Sequence, residues 1–401
     1  MRRAWVSKRL DLSFSDWLFA VGACLVPGGP DAASEVERVW SPQGAGMVGL
    51  SVRSLFDLYL EAAGWEAGDR IVFTAITVGD MPRIAREHGL EVVSVDLDPN
   101  DASPDVDALR ASITPRTRAV VFTHLYGARL DVDDALEVAR EHGVLFIEDC
   151  AEAYAGPAWT GHPHADLTLF SFGPIKTATA LGGGLARVAD TGRLARMREL
   201  AALQPVQPVG EYLGRCIKYG LLAVATTPVV FALLIRILEV VGPGHDELLH
   251  RLTRGFPGPE FFRRIRRRPS RPLLRTLARR LAQGDAPVSR RVGPGVRLMS
   301  GLAGLDVPTA DVRPHAYWLV PVIMDEPEAL VARLNESGFN GTLGRALSVV
   351  ESDGAAGGGD LPGARRLFER VVFLPFSPQM PAEILDRLAG VVREEARRQQ
   401  P

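Results

Sequence analysis

Between residues 48 and 188 short apolar runs alternate with amphipathic ones, and that alternation leaves few folds open. Arg70 to Thr74, Glu91 to Asp96, Arg118 to Thr123 and Val144 to Glu148 carry consecutive branched and aromatic residues without a polar residue at every second place. Strands of this kind are buried on both faces, which predicts a mostly parallel sheet covered by helices. The segments between them, Ser51 to Ala63, Asp80 to His88, Val106 to Ala111 and Asp131 to His142, have helical spacing. Gly89 and Gly143 follow two of these helices, where glycine accepts the left-handed conformation that ends a helix. Shorter strands are expected at Leu167 to Phe170 and Gly184 to Val188, then a helix from Thr191 to Ala201. The fold class is α/β. Ligands on such sheets gather at the carboxyl ends of strands, where His124, Asp149 and Ser171 fall.

A length of 401 residues exceeds one typical domain. The expected division is an N-terminal segment (1–47), a large domain (48–204), an atypical apolar and basic helical insertion (205–300) and a small C-terminal α+β domain (301–401). In the last, Trp318 to Ile323 and Val371 to Pro375 read as strands and Pro327 to Ser337 as a helix, while Ser352 to Gly363 reads as a mobile loop. Net charge is −2, which gives no overall pull toward nucleic acid. The arginines from Arg263 to Arg280 lack interleaved aromatics and a binding module, so nucleic acid is not an expected partner. Cys24, Cys150 and Cys216 show neither a disulfide framework nor zinc spacing, which fits a reducing cytoplasm. The apolar stretch from Trp17 to Val26 is short for a signal peptide, and Asp11 and Asp16 interrupt its approach.

Lys176 closes the run Ser171, Phe172, Gly173, Pro174, Ile175, and Asp149 stands in Phe146, Ile147, Glu148, Asp149, Cys150. A lysine amine can form a Schiff base with an aldehyde cofactor, and a carboxylate can keep a pyridine nitrogen protonated. Each lies at the end of an expected strand. His162, Pro163 and His164 with Asp166 could suggest a metal, but the proline restricts the pair and a third ligand is missing, so no metal is expected.

Those two segments, with Gly68-Asp69, Val95 to Asp98, His124 to Gly127 and Gly182 to Gly184, resemble the DegT-type (DegT/DnrJ/StrS) sugar aminotransferase family of fold-type I pyridoxal phosphate enzymes. The likeness covers about residues 48–203 and 313–393. It implies pyridoxal 5'-phosphate as cofactor, with Lys176 and Asp149 as the catalytic pair and Ser171 donating to the phosphate. Where the family opens its first helix with Ser-Gly-Thr, this chain has Ser51, Val52 and Arg53, followed by Ser54. Arg53 and Ser54 read as phosphate contacts, Arg53 as a charged fork, with a solvated helix arginine as its alternative. Val78 stands where an aromatic ring commonly stacks on the cofactor, and Glu152 where a glutamine or histidine is usual. His124, His315 and Tyr317 align with substrate-facing segments, although loop-fixing and core roles explain them as well. The resemblance also implies a homodimer, an amino-acid donor (glutamate) and a keto acceptor on a sugar nucleotide or lipid-linked sugar. Two rivals stand beside this reading: a pyridoxal phosphate lyase, favoured by Glu152 and Val78, and a membrane-associated binding protein without turnover.

Tyr219 to Ile235 contains no charged residue. It is shorter than the ~20 residues of a spanning helix and is broken by Pro228. With the arginines from Arg263 onward, it fits a protein resting on an anionic membrane through residues 217–280. The alternative is a buried helix at a dimer interface with a solvated arginine face. The expected location is cytoplasmic, peripheral on the inner membrane face in the first case.

Overall fold

The computed structural model describes residues 5–6, 10–26, 28, 32–41, 43–231, 260–344, 347–354 and 359–399. The chain opens with β1 (Trp5–Val6), α1 (Phe14–Leu25) and α2 (Ala32–Trp40). The large domain follows as β2 (Gly46–Gly49), α3 (Val52–Ala63), β3 (Arg70–Thr74), β4 (Ile76–Thr77), α4 (Asp80–Glu87), β5 (Glu91–Val95) and α5 (Val106–Ser112). It continues through β6 (Thr117–Thr123), α6 (Asp133–Glu141), β7 (Leu145–Asp149), β8 (Leu167–Ser171), β9 (Gly184–Val188) and α7 (Thr191–Leu203). Among the described residues, the helices that come next are α8 (Val209–Ala225), α9 (Phe261–Ile265), α10 (Arg271–Leu281) and α11 (Ala286–Gly301). The C-terminal part holds β10 (Pro321–Ile323), α12 (Pro327–Glu336), β11 (Phe339–Asn340), β12 (Thr342–Leu343), β13 (Ser348–Val349), α13 (Pro362–Glu369), β14 (Val371–Phe373) and α14 (Ala382–Arg398).

Among the described residues the main sheet has seven strands in the order β2-β9-β8-β7-β6-β3-β5. The pairs from β5 through β8 are parallel, and β9 runs antiparallel to both β8 and β2. The strand sequences explain this burial. Val72, Val120, Phe122 and Phe146 pack with Leu109 of α5 and Leu136 of α6 on one face. Their neighbours Ile71, Phe73, Val121 and Ile147 pack with Leu55 of α3 and Ile84 of α4 on the other. Side chains alternate along a strand, so both sets are apolar because both faces are covered. The same period puts Asp149 on the face of Ile147 and Glu148 on the face of Phe146.

Strand β5 is an edge of this sheet, and the segment expected to be a mobile loop covers part of it. The Asp353 carboxylate accepts from Val92 N–H at 2.9 Å and pairs with Arg86, while Ser352 Oγ accepts from Ser94 N–H at 2.9 Å. Satisfying the open strand groups holds that end of the loop in place; residues 355–358 lie outside the described part.

The insertion departs from the sequence-based expectation of a basic face. Arg263 and Arg264 pair with Glu260, Arg266 with Asp57, Arg267 with Glu211, and Arg279 and Arg280 with Asp16. Helix α9 brings Arg266 to Asp57 of α3, and α10 brings Arg279 and Arg280 to Asp16 of α1. Arg280 is 1 % exposed and holds Asp16 Oδ2 at 2.6 Å and the Asp11 carbonyl at 2.7 Å. Beside these paired arginines, apolar side chains also stay exposed. Phe14, Leu18 and Leu25 of α1, and Ile217, Leu221 and Val224 of α8, repeat at helical spacing and face outward. The two helices pack on each other, with Trp17 Nε1 donating to the Cys216 carbonyl at 2.9 Å. No helix among the described residues is long and apolar enough to cross a membrane. Residues 232–235 of the uncharged run lie outside the described part.

Candidate active site

Strand β7 ends at Asp149, which is buried and accepts from the Ala151 N–H at 3.0 Å. Burial raises its carboxyl above the ordinary aspartate range, opposed by the Ala151 N–H and the Lys176 charge. Lys176 lies in the loop after β8, its Nζ 3.5 Å from Glu152 Oε1. Burial lowers this amine below the ordinary lysine range, while Glu152 and Asp149 pull it back up. Glu152 is itself fixed, because its Oε2 accepts the Tyr126 N–H at 3.1 Å. An amine with a depressed pKa is a nucleophile near neutral pH, and the sheet end supplies two carboxylates beside it.

The phosphate-side residues converge through backbone packing. Ser51 caps α3, its hydroxyl accepting from Ser54 N–H and lying 3.0 Å from Ser54 Oγ. A side chain at Gly184 would stand 2.6 Å from Ser51 C and Val52 N, so only glycine lets β9 approach the start of α3 this closely. Ser171 pairs with Gly184 across β8 and β9, which brings it to the same place. Arg53 reaches Asp80 at 2.5 Å, so an anion at the α3 N-terminus would share that guanidinium with a carboxylate. Val78 is half-buried against the apolar cluster of the α5 and α6 face.

The hydroxyls of Thr77, Thr123 and Thr177 are buried with no partner among the described residues. Thr177 follows Lys176, Thr77 precedes Val78, and Thr123 is the register partner of Asp149. Buried hydroxyls ordinarily find a partner. Unsatisfied hydroxyls at Thr123, the register partner of Asp149, and at Thr177, next to Lys176, match a polar ligand carrying a protonated ring nitrogen. The residues present therefore fit pyridoxal phosphate.

Three of the anticipated substrate contacts need correction. His124 lies on the opposite face of the sheet from Asp149, fully buried, its Nε2 2.8 Å from Glu148 and its Nδ1 accepting from Leu130 N–H at 3.1 Å. Both ring nitrogens are committed, so it fixes the loop rather than meeting a substrate. That also removes it as a ligand in the buried trio His124, Glu148 and Cys150, where burial pushes the Cys150 thiol well up. His315 Nδ1 accepts the Tyr317 N–H at 2.8 Å, and burial, with the charges of Arg313 and Arg291, pushes its pKa down to about 3. A neutral, buried imidazole is a loop clamp. Tyr317 stacks on His315 and is packed against Gly295 of α11, in the core of the C-terminal part.

Trp318, which the resemblance aligns with the pocket-side segment and core packing explains equally well, has its ring 3.7 Å from Lys176 Nζ. Arg291, buried and held down to about 10 by burial, donates to the carbonyls of Ala316, Tyr317 and Trp318. Nothing local in the sequence marks it, because its acceptors are backbone atoms. Asp11 is a further unforeseen contact: its carboxylate accepts the Ala178 N–H at 2.7 Å, two residues beyond the lysine.

Comparison with known proteins agrees with this geometry. The DegT/DnrJ/EryC1/StrS aminotransferase family matches residues 54–212. The chain is similar to a dTDP-3-amino-3,4,6-trideoxy-alpha-D-glucose transaminase of Micromonospora megalomicea, 28% identical over 84% of this chain and 81% of that protein. It is 38% identical to an L-glutamine:2-deoxy-scyllo-inosose aminotransferase of Streptomyces kanamyceticus, over 36% of this chain and about a third (34%) of that relative's length. The fold superposes on the aminotransferase TlmJ of Streptoalloteichus hindustanus with a TM-score of 0.71 at 21% identity, covering 99% of this chain and 100% of that one. The similarity to the DegT/DnrJ/EryC1/StrS aminotransferase family thus spans residues 54–212, within a fold that the chain shares with an aminotransferase of known structure.

Proposed function

We propose that the protein is a pyridoxal-phosphate-dependent aminotransferase that moves an amino group from an amino-acid donor to a keto group on a sugar nucleotide or lipid-linked sugar. One observation carries the reading: the depressed amine of Lys176 beside Glu152, within reach of the charge of Asp149, which lies buried at a strand end. When bound, the cofactor supplies an electron sink for carbanion chemistry. The chain does the rest. Asp149 would hold the ring nitrogen protonated, the α3 N-terminus with Ser51, Ser54, Arg53 and Ser171 would hold the phosphate, and Lys176 would move the proton at the reacting carbon. The donor is glutamate by the resemblance, and the name of the inosose-type relative supports glutamine as well. A homodimer rests on the resemblance.

Absorbance tests the reaction. The loaded protein should show a visible band that bleaches with glutamate or glutamine and returns with a keto-sugar nucleotide. A band unmoved by any amino donor favours the lyase instead, a reading supported by Glu152 and Val78 standing where the family differs. A protein that binds no cofactor is the non-catalytic rival.

A second reading concerns location. The outward stripes of α1 and α8 support shallow seating on a lipid surface. Because the neighbouring arginines are paired internally, the attraction is apolar rather than electrostatic. Flotation with neutral phosphatidylcholine vesicles should therefore succeed and barely change between low and high salt. Leu221→Glu with Leu18→Glu should weaken it about tenfold or more, at ~1.5–3 kcal/mol per buried leucine. Failure to float, with the same pair of changes splitting a dimer, would assign the stripe to a second copy.

A further inference from the structure

We infer that Trp318 is the aromatic face of the Lys176 site and the positioning residue for its amine, an inference that rests on the cofactor reading above. Position 78, the expected stacking position, is a valine and offers no ring. The Trp318 indole instead lies with its centroid 3.7 Å from Lys176 Nζ, within the range where an ammonium is drawn to an aromatic face.

The indole is not a chance neighbour, because a closed circuit of contacts fixes it. Its Nε1–H donates to the Ile175 carbonyl at 2.8 Å, so the anchor and the amine belong to consecutive residues. Lys176 Nζ meets Glu152 Oε1, and Glu152 Oε2 accepts the Tyr126 N–H. The Tyr126 carbonyl accepts the Leu319 N–H at 3.0 Å, which returns to the residue beside Trp318. Two backbone features hold the circuit shut. Gly127, at φ +98°, leaves room for the Trp318 N, which a side chain there would meet at 2.6 Å. The Arg291 guanidinium, bonded to three successive carbonyls, fixes the turn in which Tyr317 adopts φ 48°. A non-glycine residue in that left-handed region needs such support.

The amine is thus held between a carboxylate on one side and an aromatic face on another. The carboxylate can exchange a proton with it. The ring cannot, so it restrains the amine without competing for its lone pair. A chromophore tethered to that nitrogen must lie within contact distance of the indole, which makes the arrangement visible in Trp318 emission.

The test uses the full chain, stripped of cofactor with hydroxylamine and titrated with pyridoxal phosphate. In the wild type, loading should quench tryptophan fluorescence strongly. Trp318→Phe should lose the larger part of that quench, although the chain has 6 tryptophans, yet keep its visible band and the borohydride label on Lys176. Trp318→Leu should need about tenfold more cofactor for half-saturation, with Trp318→Phe recovering to within about threefold, as expected for loss and partial return of an aromatic face against the bound ring. The inference is overturned if Trp318→Leu matches the wild type in cofactor titration, or if Trp318→Phe keeps the full quench. A leucine variant that fails to fold leaves the phenylalanine quench as the deciding result. A wild-type label found away from Lys176 would instead sink the underlying cofactor reading, a separate outcome.

Discussion

Lys176→Ala should lose about a thousandfold or more of its transfer rate, since it removes both the covalent tether and the group that moves the proton. The fold should survive. A buried amine whose pKa is pulled down by burial costs stability in its charged form, so removing it relieves that cost. Glu152 keeps its bond from the Tyr126 N–H and is not stranded. Melting should therefore stay close to the wild type while borohydride labelling at this peptide disappears. Single-turnover reaction with glutamate, followed by mass of the labelled peptide, checks both halves. Activity within about tenfold of the wild type would mean that another group carries the proton and the tether.

The largest stability effect is expected at a distance from the chemistry. Arg280→Ala should cost about 3–5 kcal/mol, the range for removing one partner of a buried pair. Its guanidinium touches Asp16, Gln283 and the Asp11 carbonyl, and it is essentially without solvent. Burial alone would raise the Asp16 carboxyl. Hydrogen bonds from Ser13, Arg279 and Gln283 and the charge of Arg280 overcome this and hold it down at about 2. A group depressed in the folded state stabilises above its unfolded value of 3.8, and that contribution is lost as pH falls through about 2. The linkage is worth about 2 kcal/mol. Urea unfolding should thus show a gap between wild type and Arg280→Ala that is full at pH 7 and shrinks below the ordinary aspartate range. A gap of under about 1 kcal/mol at pH 7 would show that water replaces the guanidinium.

The central sheet was readable because each strand declares its burial locally. Ile71, Val72 and Phe73 leave no polar face, and Gly89 and Gly143 mark where helices stop. The placement of Asp149 at a strand end, with Lys176 in the loop after the next strand, was readable for a related reason, since ligands on such sheets gather at the carboxyl ends of strands. What escaped depends on partners far along the chain. Arg266 looked like part of a solvated cluster until α9 brought it to Asp57, and Arg280 until α10 brought it to Asp16. Charge can be counted in a sequence, but its neutralisation by a residue more than two hundred positions away cannot. His124 illustrates a different loss. Strand alternation assigns it to the face away from Asp149, a consequence of period two that was open to inspection but outweighed by its place at a strand end. Trp318 was readable only in part: the resemblance put it on the pocket-side segment, but a buried tryptophan reads as packing whichever group lies under its ring.

The bond from Ala178 N–H to Asp11 ties the segment ahead of α1 to the reactive loop. A change at Asp11 would therefore alter the mount on which Lys176 rests.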